Sequence, residues 1–164
     1  MGILFRRGTA LETLARVDRV ALDKTGTVTE GRPALTDLEG YGVAADEALA
    51  LAAAAERHSE HPIATAIVAS AADRGLQVPE ATDVEAVPGF GIRARVSGQQ
   101  LAVGSGRFME QLGIPVDSAM GRTERLTAEG KAPLYAARDG SLIAVLAVAD
   151  PIKPSSKEAV KRLH

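Results

Sequence analysis

The stretch with the most chemical content is a carboxylate placed at the end of an apolar run and followed by a polar, glycine-containing loop. Val17-Asp18-Arg19-Val20-Ala21-Leu22 leads into Asp23-Lys24-Thr25-Gly26-Thr27, with Val28 and Thr29 behind it. A carboxylate held at the C-terminal end of a strand stands at the mouth of a sheet, where it can attack phosphorus as a nucleophile. Lys24 can neutralise phosphate charge. Thr25 and Thr27 offer hydroxyls and backbone N–H groups, and Gly26 lets the backbone approach closely. A single Asp-Lys pair would be an ordinary polar turn; the whole run points to phosphoryl transfer.

A second group lies some thirty residues on, in Glu56-Arg57-His58-Ser59-Glu60-His61-Pro62. Glu56 can accept from an exocyclic amine, and the His61 imidazole can stack on a purine or hydrogen-bond to it. His58 and His164 read as solvated. Two histidines three apart in a turn, with no third donor, make a poor metal site. Pro88-Gly89-Phe90-Gly91-Ile92 follows. It lacks the strand-then-helix setting of a dinucleotide fingerprint. Its glycines would let a purine or ribose lie against bare backbone, and Phe90 reads as packing at a sheet edge.

The elements that must position these groups follow from pattern. Thr9-Ala10-Leu11-Glu12 predicts a capped helix ending near Arg16, and Val17–Leu22 a strand. Ala34 to Leu38 predicts another strand. Asp46 is placed as the cap of a Leu- and Ala-rich helix running to about Arg57. Pro62 fits the first turn of the next helix and Gly75 its C-terminal cap. Asp83–Val87, Ile92–Val96 and Gln100–Val103 alternate and are split by Pro88-Gly89 and Ser97-Gly98, which predicts antiparallel strands. Two short helices are expected near Arg107–Leu112 and Ser118–Glu129. Leu134–Ala137 and Leu142–Val148 flank Asp139-Gly140, the strongest hairpin signal in the chain. Asp150-Pro151-Ile152-Lys153-Pro154 is a stiff turn, Lys153 is read as solvated, and Ser155-Ser156-Lys157-Glu158 is expected to cap a last helix.

Composition narrows the function. The 164 residues carry 19 Lys+Arg against 21 Asp+Glu, which argues against broad electrostatic capture of nucleic acid. There are no cysteines, so disulfides, thiolate nucleophiles and Cys-based zinc sites are excluded. Aromatics are only 3%, too few for a base-stacking platform on a nucleic-acid strand. No apolar run reaches membrane-spanning length, and Met1–Arg7 lacks the layout of a signal peptide.

Taken together, these motifs carry a family likeness. Asp23-Lys24-Thr25-Gly26-Thr27 resembles the phosphorylation signature of P-type ATPases, a branch of the haloacid-dehalogenase-like superfamily. Ser59-Glu60-His61-Pro62 resembles the Ser-Glu-His-Pro motif of its heavy-metal-transporting members. Gly89-Phe90-Gly91 resembles the Gly-x-Gly that follows. Gly104-Ser105 resembles a Gly-Asn pair, with Ser105 in place of Asn. The likeness implies that Asp23 accepts the γ-phosphate of ATP, assisted by Lys24, Thr25 and Thr27. Mg²⁺ would be held by Asp23 and Thr25 in an incomplete site. Glu56, Ser59, His61, Gly89, Gly91, Gly104 and Ser105 would form the ATP site. Asp150-Pro151-Ile152-Lys153 would be the return crossing of a hinge, with Thr29–Pro33 the outward one.

The implied fold is α+β: a nucleotide-binding domain with a twisted antiparallel sheet flanked by helices, inserted in a truncated α/β phosphorylation domain. Residues 1–31 and 150–164 are assigned to the phosphorylation domain and 32–149 to the nucleotide-binding domain. Residues around the Asp23 loop look more like copper than zinc or cadmium pumps. The implied function is the cytoplasmic ATP-binding part of a copper-transporting P-type ATPase, an integral membrane protein. This piece would bind ATP as a monomer without being catalytically complete. Its partners would be the phosphorylation, actuator and membrane domains of the same pump, with no nucleic acid. A zinc/cadmium-type pump is the alternative, as is a soluble phosphatase with residues 34–149 as cap. Against the phosphatase stands Thr25, where many phosphatases of the superfamily carry a second Asp as proton shuttle.

Overall fold

The computed structural model describes residues 8–163, so the expectations for Met1–Arg7 and His164 lie outside the described residues. Six strands form one sheet: β1 (Ala34–Gly40), β2 (Ala81–Val87), β3 (Gly91–Val96), β4 (Gln99–Gly104), β5 (Ala132–Arg138) and β6 (Ser141–Ala149). Their order is β1-β6-β5-β4-β3-β2, antiparallel at every step. The helices are α1 (Gly8–Leu14), α2 (Ala45–Glu56), α3 (Pro62–Asp73), α4 (Gly106–Gln111), α5 (Met120–Ala128) and α6 (Pro154–Leu163).

Strand periodicity of two sorts the sheet residues into two cores. Leu134, Ala136, Ala144 and Leu146 join the cluster under α2 and α3. Their neighbours Tyr135, Ala137, Val145 and Ala147 join the cluster under α4 and α5. This explains why β6 reads as a nearly continuous apolar run: both of its faces are covered. Helix α2 is buried at Ala48, Leu49 and all of Ala52–Ala55. Small side chains let it lie between the sheet and α3. The turns follow their chemistry. Asp139 (φ 47°) and Gly140 (φ 80°) are both left-handed, as a tight two-residue hairpin requires.

Four local expectations are corrected. Val17–Leu22 is irregular, not a strand, and Val17, Val20 and Leu22 are about half exposed. A strand is held by ladder hydrogen bonds, and none of the strands among the described residues pairs with it. Thr9 is not an N-cap, because α1 already includes Gly8; its carbonyl accepts from Thr13 Oγ1 (2.9 Å). Asp46 lies inside α2, where Ala44 is the cap residue, and it pairs with Arg74 at 2.8 Å. Ser155 lies inside α6, which Pro154 opens: Ser156 N and Lys157 N donate to the Lys153 carbonyl. Proline at the first helical position is preorganised and moved the start by one residue.

A charge cluster ties β1 to α5 and to the start of β5. Asp37, 15% exposed, takes Arg122 Nη2 on one carboxylate oxygen and Lys131 Nζ on the other, each at 2.7 Å. Lys131 also reaches Glu129 at 2.7 Å. Arg122 Nε is 3.3 Å from Glu39 yet forms no hydrogen bond, because an ion pair needs only proximity. Burial pushes the Asp37 carboxyl up, but the Lys131 and Thr36 hydrogen bonds and the two cations together hold it below the ordinary range. Its stabilisation is therefore present above the unfolded carboxylate value and lost as pH falls through the depressed folded one. Asp37→Ala should cost about 2 kcal/mol at pH 7 by urea unfolding, and the difference should vanish in strong acid. An equal loss at both pH values would remove the electrostatic explanation.

Candidate functional site: the Asp23 loop and a separate cleft

The Asp23 loop is a single wide turn, Lys24–Val28, whose backbone leaves helical geometry at Thr25 (ψ 122°) and Gly26 (φ 75°). Asp23 Oδ1 accepts from Lys24 N at 2.9 Å. Asp23, Lys24, Thr25 and Thr27 are all exposed. The loop is braced from behind. Thr29, buried to 4%, accepts from Gly26 N (3.2 Å) and donates its hydroxyl to the Asp150 carboxylate. Asp150 also takes Gly31 N (2.9 Å) and Arg32 N (3.2 Å). Its carboxyl is lowered by the Thr29 bond first, then by those two N–H groups and by the charge of Lys24. Lys153 Nζ donates to the Gly26 carbonyl, so it is engaged with the loop and not merely solvated.

The two crossing segments meet as an antiparallel bridge, Thr29 to Ile152. Glu30 N donates to the Pro151 carbonyl (2.9 Å) and Lys153 N to the Val28 carbonyl (3.0 Å). Asp150 thus ties the start of its own segment to Thr29, Gly31 and Arg32 of the other. Sequence reasoning singled out these two segments but missed the pairing of Thr29 with Asp150. The only local signal was the Thr29 hydroxyl itself, standing between apolar Val28 and charged Glu30 just after the loop.

For Mg²⁺, Asp23 and Thr25 offer hard oxygen donors of the right kind, but an octahedral ion takes six. No group of three or more His, Cys, Asp or Glu able to hold a metal occurs among the described residues. The donor set fits the ion in kind and is incomplete in number.

The other motif residues gather elsewhere. Glu56, Ser59, His61, Gly89, Gly91, Gly104 and Ser105 all line one cleft of about 380 Å³, with Ile63, Ala86, Val87, Pro88, Phe90, Ile92 and Leu134. None of Asp23, Lys24, Thr25 and Thr27 lines it. Nor does any Lys or Arg, so its wall suits an aromatic base and a sugar more than a polyphosphate. A further hollow of about 310 Å³, at Asp83, Arg93, Arg95 and Leu112, contains none of the motif residues.

Each cleft residue is set by its element. His61 caps α3: its Nδ1 accepts from Ile63 N at 3.2 Å, which leaves Nε2 carrying the proton as a free donor. Ser59 Oγ accepts from His61 N (3.3 Å), so Ser59 braces the imidazole's backbone. Glu56 ends α2, half-buried; burial pushes its carboxyl up, and the Ser59 hydroxyl pulls weakly the other way. Val87-Pro88-Gly89-Phe90 is a turn closed by Phe90 N to the Val87 carbonyl (3.0 Å), with Gly89 at φ 79°. Proline then a left-handed glycine is the type II pattern.

Gly91 and Gly104 face each other across β3 and β4. A Cβ on Gly91 would fall 2.1 Å from the Val103 carbonyl oxygen, so the chain itself fills that space. Phe90 packs on Phe108 (ring centroids 6.4 Å apart) next to the edge strand β2 and is also 37% exposed on the cleft wall. Ser105, standing where the resembling family has Asn, caps α4 by accepting from Phe108 N (3.4 Å).

Residues 17–164 match the haloacid dehalogenase-like hydrolase family. Copper-transporting ATPase 1 of Rhizobium meliloti is 52% identical over 165 residues, covering 100% of this chain and 20% of that protein. A copper-exporting P-type ATPase of Bacillus subtilis is 44% identical over 163 residues, covering 99% and 20%. The chain thus spans about a fifth of the curated relatives it matches. A crystal structure of a zinc-transporting PIB-type ATPase in the E2.Pi state superposes with a TM-score of 0.84 at 34% identity, covering 95% of this chain and 25% of that one. The N-domain of HMA8, a copper-transporting P-type ATPase, superposes at 0.62 and 33% identity, covering 71% of this chain and 99% of that one.

Proposed function

Because this chain belongs to the haloacid dehalogenase-like hydrolases, in their heavy-metal P-type ATPase branch, we propose that it is the ATP-binding part of a copper-transporting pump, serving an aspartyl-phosphate formed on Asp23. The observation that carries this reading is the convergence of Glu56, Ser59, His61, Gly89, Gly91, Gly104 and Ser105 on one cleft. They come from separate elements, and no packing need of the sheet requires polar groups there.

In this mechanism the Glu56 carboxylate accepts from the adenine amine, and His61 Nε2 donates to a ring nitrogen. The hinge at Asp150 and Thr29 lets the nucleotide swing toward Asp23. The Asp23 oxygen attacks the γ-phosphorus, the bond to the β-γ bridging oxygen breaks, and ADP leaves with that electron pair. Lys24 offsets phosphate charge, and Thr25 and Thr27 donate hydrogen bonds. Asp23 and Thr25 would hold magnesium, which would supply further charge neutralisation. Thr25 bears no carboxylate, so water attacking the acyl phosphate finds no base there and the intermediate persists. Persistence suits transport. The rest of the pump, with its actuator and membrane domains, would supply the remaining parts; no helix among the described residues is long and apolar enough to cross a membrane. Copper is favoured over zinc because the curated relatives at 52%, 50% and 44% identity are copper-transporting or copper-exporting ATPases.

Titration with ATP, followed by amide NMR, tests the site. Shifts should concentrate at Glu56, His61, Gly89 and Gly91, and AMP should reproduce most of them, since no cation lines the cleft. Silence at those four amides would sink the assignment.

A further inference from the structure

Phe90 is the one six-membered aromatic ring lining the cleft. It stands at the first residue past the Pro88-Gly89 turn and is 37% exposed, an unusual state for phenylalanine. Its backbone is held from both sides: Phe90 N donates to the Val87 carbonyl (3.0 Å), and its own carbonyl accepts from Ser105 N (2.9 Å). Its ring is backed by Phe108, fully buried, with centroids 6.4 Å apart and planes tilted by 51°. The Arg93 guanidinium lies 5.7 Å from the centroid of Phe108, so a cation–π contact anchors the anchor. Tilted pairs at this separation are attractive and limit the outer ring's freedom.

A residue otherwise so well held keeps 37% of its surface open and lines the cleft. A turn loop gains nothing by fixing a phenylalanine in water. From this geometry we infer that Phe90 is a stacking wall for the nucleobase, with Phe108 and Arg93 as its positioning residues. The inference rests on the adenine-site reading above and deepens it. Glu56 and His61 read the base edge and choose adenine; Phe90 holds the base face and contributes affinity without choosing among purines.

The test compares Phe90→Leu and Phe90→Tyr with the parent chain, using ATP and adenosine as probes. Leucine keeps apolar bulk without a π-face, and tyrosine keeps the ring, so both should fold at this exposed turn. Phe90→Leu is expected to weaken ATP and adenosine by the same factor, about 5- to 20-fold, and to lower guanosine binding in proportion. Phe90→Tyr should stay within about twofold. The adenine H2 and H8 resonances should move upfield on binding the parent chain and the tyrosine variant, and not on binding the leucine variant. Unchanged affinity in Phe90→Leu, or no upfield movement with the parent chain, overturns the stacking role and leaves the site standing. Failure of the parent chain to bind ATP at all removes the adenine site, and this inference with it.

Discussion

Gly91→Ala should destabilise the fold by about 3 kcal/mol, enough to lower the melting temperature by roughly 6–12 °C for a chain of this size. The added Cβ would sit 2.1 Å from the Val103 carbonyl oxygen, 2.6 Å from Gly104 Cα and 2.9 Å from Phe108 Cδ1. The first two are backbone atoms of the paired strand, so no rotamer change relieves them. Gly104 is caught in the same way, with its Cβ position 2.4 Å from the Phe90 carbonyl oxygen. Gly89 is different. A Cβ there meets nothing within 4 Å, and only its positive φ resists substitution. Gly89→Ala should therefore cost about 1 kcal/mol. Equal losses at 89 and 91, read from urea midpoints, would mean that the strands part easily and that the steric account is wrong.

Glu56→Ala should weaken ATP about 30-fold, the scale for removing a charged acceptor from a buried hydrogen bond. The same residue predicts a pH profile. Burial raises the Glu56 carboxyl, so the free protein protonates it more readily than an exposed glutamate. The adenine amine donates to the ionised form. Affinity should be flat above the raised value and fall as pH drops through it. Stability runs the opposite way. A carboxyl raised in the folded state penalises folding at high pH; that penalty shrinks as pH falls below the raised value and is gone below the ordinary carboxylate value. Glu56→Gln should then stabilise the unliganded chain at neutral pH while weakening ATP and flattening its pH profile. Calorimetry across pH 4–8, a range of about four units spanning ordinary and raised carboxyls, measures both. A Gln variant that binds like the parent chain would place the amine elsewhere.

These two residues show how differently the sequence speaks about a site. Glu56 and His61 were legible because their types imply hydrogen bonding whatever surrounds them. Gly91 was legible as a position but not as a mechanism. Bare backbone suggests room for a ligand, whereas the register of β3 against β4 fills that room with Gly104 and Phe108. The exposure of Phe90 was not legible for a related reason. An isolated phenylalanine beside glycines has no preferred surroundings until the turn and the Phe108 ring fix where it points.

Local pattern alone determined most elements of the sheet and the helices that cover it. Alternation marked β2, β3 and β4, Asp139-Gly140 the last hairpin, and Pro62 and Gly75 the two ends of α3, because each depends on a few neighbouring residues. The motif residues were likewise readable from type and spacing. Tertiary structure alone decided which of them share a wall, because residues 56, 91 and 105 meet only through strand order. It also decided that Val17–Leu22 is irregular, since an apolar alternation becomes a strand only beside another strand. And it paired Thr29 with Asp150, a hydrogen bond across more than a hundred residues that no local rule can supply.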